Sequence, residues 1–265
     1  MRGRLISSLF GLGLLAAGGA VSTAHAIPNT LWIGNDTNAA VGILNTDRAG
    51  MVLRTIADTA SQGFGVDVAN QILYVNEDFL NAVPFALGPL TPGTPVSLGG
   101  VVSEDLSFDG TNILAGDFGN GRVVRIDPGT GMIVDSIPIG FSQPLGLTWD
   151  GGTGFWVSNF APGGAVAHYD ASGTLQSSFV PFADSFPGGL GYDTTDGTLW
   201  VGSFGSVHHF TAGGTEIGSF STGNGAFVDG LEFEGGRQEN VPEPGSLALL
   251  GLGLGLIVAA RRRRA

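Results

Sequence analysis

The chain of 265 residues contains no cysteine and no lysine. Without cysteine there is no disulfide framework, no thiolate metal site and no cysteine nucleophile. All 11 basic residues are arginine, and charged residues make up only 13% of the chain. An apolar fraction of 43% and a mean hydropathy of +0.26 argue against disorder, which requires low hydrophobicity. The formal charge of −12 disfavours nucleic acid, whose phosphates need a basic surface. Between the two ends no stretch sustains the 3.6-residue apolar period of a long helix. Neither a Gly-x-Ser-x-Gly elbow nor a His-Glu-x-x-His pair occurs, so no sequence motif identifies an enzyme.

The ends carry processing signals. Arg2 and Arg4 precede an apolar run from Leu5 to Ala20, and Ala24-His25-Ala26 is a small-x-small cleavage site. Residues 1–26 therefore read as a secretory signal peptide, with the mature chain starting at Ile27. At the other end, Pro242-Glu243-Pro244 is followed, after Gly245, by a 15-residue apolar run, Ser246–Ala260, and then by Arg261, Arg262, Arg263 and Arg264. As a helix that run reaches about 23 Å, short of the ~30 Å hydrocarbon core. The arginines should stay on the cytoplasmic side, which places the body outside.

These three parts in this order resemble the PEP-CTERM sorting signal over about 25 residues. The resemblance implies an exported protein of a Gram-negative bacterium. It also implies transient insertion of the C-terminal helix in the inner membrane and processing by an exosortase. The expected organisation is a signal peptide (1–26), a body (27–240) and a sorting signal (241–265). The body holds five arginines against 22 acidic residues, a charge of −17, which repels DNA and anionic membranes and draws cations.

The body repeats. One phrase recurs as Phe64-Gly65-Val66-Asp67, Leu106-Ser107-Phe108-Asp109, Leu147-Thr148-Trp149-Asp150, Leu190-Gly191-Tyr192-Asp193 and Leu231-Glu232-Phe233-Glu234, with the acidic positions 41–43 residues apart. Three further β-rich runs follow, separated by turn chemistry such as Asp127-Pro128-Gly129, Ser172-Gly173 and Gly213-Gly214. Four short strands per ~42 residues are the pattern of a propeller blade. The last repeat stops after its first strand, and the first repeat begins at its second, Leu31-Trp32-Ile33-Gly34. The prediction is an all-β propeller of five blades, six being the alternative, closed by a composite blade built from residues 230–236 and 31–56. The body resembles the NHL, YVTN and gluconolactonase-like repeat propellers, a group that contains both binding modules and enzymes.

Several columns are candidate sites. The aromatic column Phe108, Trp149, Tyr192, Phe233 reads as blade-to-blade core, with a ligand cage as the alternative. The acidic column reads as turn acceptors, with calcium at Asp193 and Asp196 as the alternative. His168 and His209 occupy matching positions in adjacent blades and read as strand surface, a shared zinc being the alternative. The residues after the second strands, Asn35, Glu77, Asp117, Asn159 and Ser203, form a ring of oxygen-bearing side chains on one face. Such a ring suits sugar hydroxyls or Ca2+, with Glu77 and Asp117 as its charged members.

Three functions fit: an exported binding module for a glycan, surface protein or cation; a propeller-type hydrolase or lactonase with an acidic top-face site; and a structural matrix protein. The processing signals make one prediction. Protein recovered from its native host should have the intact mass of a chain that starts at Ile27 and ends between Pro242 and Gly245. A secreted form that keeps Arg261–Arg264 would refute it.

Overall fold

The structure, a computed structural model, describes residues 29–35, 42–57 and 62–235. The signal peptide, its cleavage site and the sorting signal lie outside the described residues, as does Gly236. Among the described residues every helix-or-strand element is a strand. Blade I starts with β1 (Leu31–Gly34), β2 (Ile43–Thr46) and β3 (Val52–Ile56). Blade II comprises β4 (Phe64–Asp67), β5 (Ile72–Asn76), β6 (Asn81–Ala86), β7 (Thr91–Pro92) and β8 (Val96–Ser97). Blade III is β9 (Leu106–Phe108), β10 (Ile113–Asp117), β11 (Arg122–Ile126) and β12 (Ile133–Pro138). Blade IV is β13 (Pro144–Trp149), β14 (Gly154–Asn159), β15 (Val166–Asp170) and β16 (Leu175–Phe179). Blade V is β17 (Leu190–Asp193), β18 (Thr198–Ser203), β19 (Ser206–Thr211) and β20 (Glu216–Ser221), and β21 (Gly230–Phe233) returns to blade I.

The five sheets are antiparallel, and blade I has the order β21-β1-β2-β3. Its closing register pairs Leu31 with Phe233, Trp32 with Glu232 and Ile33 with Leu231. The five-blade ring and its composite blade are as the repeat spacing predicts. Glu234 fastens the seam: its carboxylate accepts from Thr30 Oγ1 at 2.8 Å and pairs with Arg54, whose guanidinium lies 4.9 Å from the Trp32 ring. Blade II departs from the others in its outer edge, which is split into the two-residue strands β7 and β8, both paired with β6. Pro89, Pro92 and Pro95 fall there, and proline cannot donate to a ladder.

Burial falls from the axis outward. β4 and β21 are buried throughout, whereas β16 and β20 are almost wholly exposed. Five apolar clusters fill the five blade interfaces, for example Trp32, Phe64, Leu73 and Val75 between blades I and II. Each buried leucine or phenylalanine contributes about 1.5–3 kcal/mol through the hydrophobic effect.

The first strands β21, β4, β9, β13 and β17 surround the axis in that order. Their inner edges face no neighbouring strand, so their inward N–H groups need other acceptors. The residue before each repeated phrase is Gly63, Asp105, Gly146, Gly189 or Gly230. A Cβ at Gly230 would lie 1.8 Å from Gln62 O, and one at Gly63 2.2 Å from Asp105 Cα. Glycine is therefore what lets the backbones close around one side chain, the fully buried Asp105. Its Oδ1 accepts from Phe64 N (3.2 Å) and Leu106 N (2.9 Å), and its Oδ2 from Leu147 N (3.0 Å) and Leu190 N (3.2 Å). One carboxyl group thus joins blades II, III, IV and V.

Replacing Asp105 with alanine strands those N–H groups, at a cost of about 1–3 kcal/mol for each one left buried. Taking a total on the order of 4 kcal/mol, the Asp105→Ala protein should melt roughly 10 °C below wild type in a circular-dichroism scan. Asp105→Asn, which keeps one acceptor oxygen, should fall by less.

Candidate functional site

One step along each first strand, the inward positions are Gly65, Ser107, Thr148, Gly191 and Glu232. Glu232 belongs to blade I and reaches across the axis to blades III and IV, while the glycines of its two neighbouring blades let adjacent strands close up: a Cβ at Gly65 would lie 2.8 Å from the Ser107 backbone and one at Gly191 3.1 Å from Leu31 Cδ1. Its Oε2 accepts from Ser107 Oγ at 2.8 Å, and its Oε1 from Thr148 Oγ1 at 3.3 Å and from its neighbour's amide, Phe233 N, at 3.1 Å. Ser107 Oγ in turn accepts from Trp149 N (2.8 Å) and Thr148 Oγ1 from Tyr192 N (3.1 Å). The inward N–H groups of blades I, IV and V are satisfied at this level by side chains.

Glu232 is 7% exposed. That exposure faces a cavity of about 340 Å³ on the lower face, the face of the turns between first and second strands. All five blades line it. Ser107 and Glu232 form its floor, and Val66, Phe108, Trp149, Tyr192 and Phe233 its wall. Asp67 and Asp109 stand at its rim. The aromatic column therefore takes both readings at once. Phe108 stacks on Tyr74 of blade II (5.7 Å), Tyr192 on Trp156 of blade IV (6.4 Å), and Phe233 meets Trp200 of blade V edge-on (5.9 Å). These rings pack between blades and also wall the cavity.

Burial pushes the Glu232 carboxyl up to about 8, against the opposing bonds from Ser107, Phe233 N and Thr148. Burial likewise raises Asp105 well above the usual carboxylate range; Glu232 on the same axis adds to the rise, and the N–H bonds from Leu147, Leu190 and Phe64 oppose it. Burial also raises the Tyr192 phenol, followed in effect by Asp150, Asp196 and Asp193.

The acidic column serves the turns. Asp67 accepts from Asn70 N, Asp109 from Thr111 N and Asn112 N, Asp150 from Gly152 N and Gly154 N, and Asp193 from Thr195 N. The cation beside Asp193 and Asp196 is the guanidinium of Arg48, 3.0 Å from Asp193 and paired with Asp196 as well. His168 bonds Asp150 at 3.0 Å and stacks on Trp156 at 4.6 Å; His209 bonds Thr198 at 2.7 Å and stacks on Trp200 at 4.0 Å. Each histidine is thus engaged within its own blade.

The oxygen ring after the second strands lies on the upper face. Asn35 and Ser203 are buried there, and Asn159 is half-buried. Glu77 is half-buried and faces a cleft with Thr55, Ile56 and Phe85, on the blade I side. Asp117 is buried and bonds Arg122 Nε at 2.5 Å and Asn120 Nδ2 at 2.8 Å. The two charged members therefore face different neighbours. Among the described residues no three Asp, Glu or His side chains gather in a way that could hold a metal ion.

Two features escape a reading by motif. Glu232 was visible only as the one large acidic residue in a column of glycine, serine and threonine. The upper face carries a chain of phenylalanines: Phe118–Phe160 (6.1 Å), Phe160–Phe186 (4.7 Å), Phe160–Phe227 (5.8 Å) and Phe204–Phe227 (4.8 Å), with Phe204 60% exposed. Its signal is a phenylalanine directly after the ring position in three successive repeats, Asp117-Phe118, Asn159-Phe160 and Ser203-Phe204.

Fold and axial cavity define a five-bladed propeller. Residues 240–264 match the PEP-CTERM protein-sorting motif, which marks an exported protein of a Gram-negative bacterium, sorted to the cell surface by an exosortase. No curated protein matches the chain in sequence. Among solved structures, a chain of the nidogen/laminin complex is 12% identical, with a TM-score of 0.56 over 79% of this chain and 99% of that one. A functionally unknown protein from Desulfotomaculum acetoxidans is 12% identical over 72% of this chain and 70% of that one, with a TM-score of 0.45. At such identity the nidogen/laminin likeness speaks to the fold alone.

The buried carboxyl predicts a pH dependence. Glu232 titrates near 4.5 when unfolded and near 8 when folded. Its stabilising protonated state is complete below the unfolded value and is lost as pH rises towards 8. Over that window stability should fall by about 1.4 kcal/mol per pH unit. Glu232→Gln removes this slope, so melts at pH 5 and pH 8 should differ less in the variant than in wild type. Asp105, shifted the same way, contributes a slope that survives the substitution.

Proposed function

We propose that the exported propeller is a surface binding module that takes a small organic ligand in its lower axial cavity. The carrying observation is the convergence of all five blades on one cavity with an aromatic wall and a polar floor, the usual composition of a small-molecule site. Its volume of about 340 Å³ suits a ligand the size of a monosaccharide or a small amine. Supporting a binding role over a hydrolytic one, each acid that lines the cavity is already engaged: Glu232 by two hydroxyls, Asp67 by Asn70, and Asp109 by Thr111 N, Asn112 N and Arg125. The phenylalanine chain on the opposite face would suit extracellular polysaccharide, because sugar rings stack on aromatic side chains.

Saturation-transfer NMR on the full exported protein tests the cavity, with glucose, galactose, N-acetylglucosamine, choline and ethanolamine as probes. At least one should receive saturation, and Trp149→Ala should abolish the transfer in a protein that still shows the folded circular-dichroism spectrum, its melting temperature lowered by the packing that Trp149 also provides. No transfer to any probe would count against a small-molecule site and favour a structural role in the matrix.

A further inference from the structure

The lower cavity is lined by three acidic residues, Asp67, Asp109 and Glu232, and among the described lining residues there is no arginine or histidine. An anionic ligand would find no positive side chain among these lining residues and would meet the uncompensated charge of Asp67. A bare metal ion is also poorly served, because aromatic side chains fill the wall and no three ligating side chains gather. Building on the reading of this cavity as a ligand site, we propose that its ligand is an organic cation, an ammonium group enclosed by Phe108, Trp149, Tyr192 and Phe233 and facing Glu232.

Four aromatic side chains from four blades supply the wall; Phe108 and Tyr192 each give one face to a neighbouring ring, whereas Trp149 stacks on no ring among the described residues, and an open aromatic face attracts an ammonium group, tryptophan most strongly. The surroundings carry the right potential. After burial, Asp150, Asp196 and Asp193 act to hold the nearby Tyr192 phenol in its neutral form, Asp196 and Asp193 being paired with Arg48. Arg125 Nε bonds Asp109 at 3.0 Å and offsets that charge, whereas Asp67 is bonded by Asn70, a neutral partner. A body of net charge −17 concentrates cations at its clefts.

Glu232 is prepared to become the counter-charge. The hydroxyls of Ser107 and Thr148 each accept a backbone N–H, so each turns its own proton towards the carboxyl. With Phe233 N, three donors converge on Glu232. Near neutral pH burial keeps it protonated. An arriving ammonium group supplies the positive charge that lets it ionise, and the carboxyl proton passes to solvent. The elements packed on β21 bring few competing groups. β1, β13 and β18 contain no titratable side chain; β4 brings Asp67, and β17 brings Tyr192 and Asp193. Asp105 and Asp109 flank β9, the strand that carries Ser107.

Calorimetric titration of the full exported protein with choline and with its neutral isostere 3,3-dimethylbutan-1-ol separates charge from shape. Choline should bind at least about tenfold tighter than the isostere. Its affinity should rise about tenfold from pH 7 to pH 9, because a group titrating near 8 goes from about one tenth to about nine tenths ionised. At pH 7 the apparent heat should vary with the buffer's ionisation enthalpy, reporting proton release by wild type alone. Glu232→Gln should remove the pH dependence and weaken choline about tenfold at pH 9, with isostere binding unchanged. Equal affinity for both probes, or choline binding without proton release, overturns the cation inference. If the isostere or a sugar binds through Trp149 and choline does not, the cavity remains a ligand site and the cation inference falls. If no probe binds, both fall.

Discussion

Five strand edges meet around the axis of this propeller, and each presents N–H groups that no neighbouring strand can accept. The Asp105 carboxyl group takes four of them, from β4, β9, β13 and β17. Buried polar groups left without partners are costly, so this acceptor fixes how the blades meet at the axis, while the apolar interfaces between them supply the larger part of the stability. The rest of the axis follows from it. Glycines at the matching positions let the backbones approach. One level below, Glu232, Ser107 and Thr148 repeat the solution with a second carboxyl group and two hydroxyls.

The composite blade closes the ring by the same economy of edges. β21 supplies the inner strand that the N-terminal repeat lacks, and the seam is completed by Thr30, Arg54 and Glu234. It also delivers Glu232, the only acid among the five inward positions of the first strands, across the axis to blades III and IV. Ring closure and the polar floor of the cavity therefore depend on one strand of four residues.

The same segment explains why the lower face is the better candidate site. On the upper face two members of the oxygen-bearing ring are drawn into local contacts, Asp117 with Arg122 and Ser203 with Ser206 at 3.0 Å, while the buried Asn35 amide and Asn159 Oδ1 have no hydrogen-bond partner among the described residues. On the lower face the aromatic residues after the inward positions are only partly consumed by packing, and their remaining surface bounds a cavity with Glu232 at its base.

The fold was legible in the sequence because it is periodic. The acidic residue of each repeat occupies one turn, so its 41–43-residue spacing counts the blades, and the half-repeats at Leu31 and Leu231 announce the composite sheet. The export and sorting signals are legible for a similar reason: they are short linear patterns. The cavity was not. Phe108, Trp149, Tyr192 and Phe233 appear in sequence as a column suited to packing, and only closure of the ring turns one side of that column towards a shared space. Glu232 lies 125 residues from Ser107 and 84 from Thr148. No spacing rule links them; they meet because closure of the ring brings β21, β9 and β13 around one axis, within the reach of a glutamate side chain.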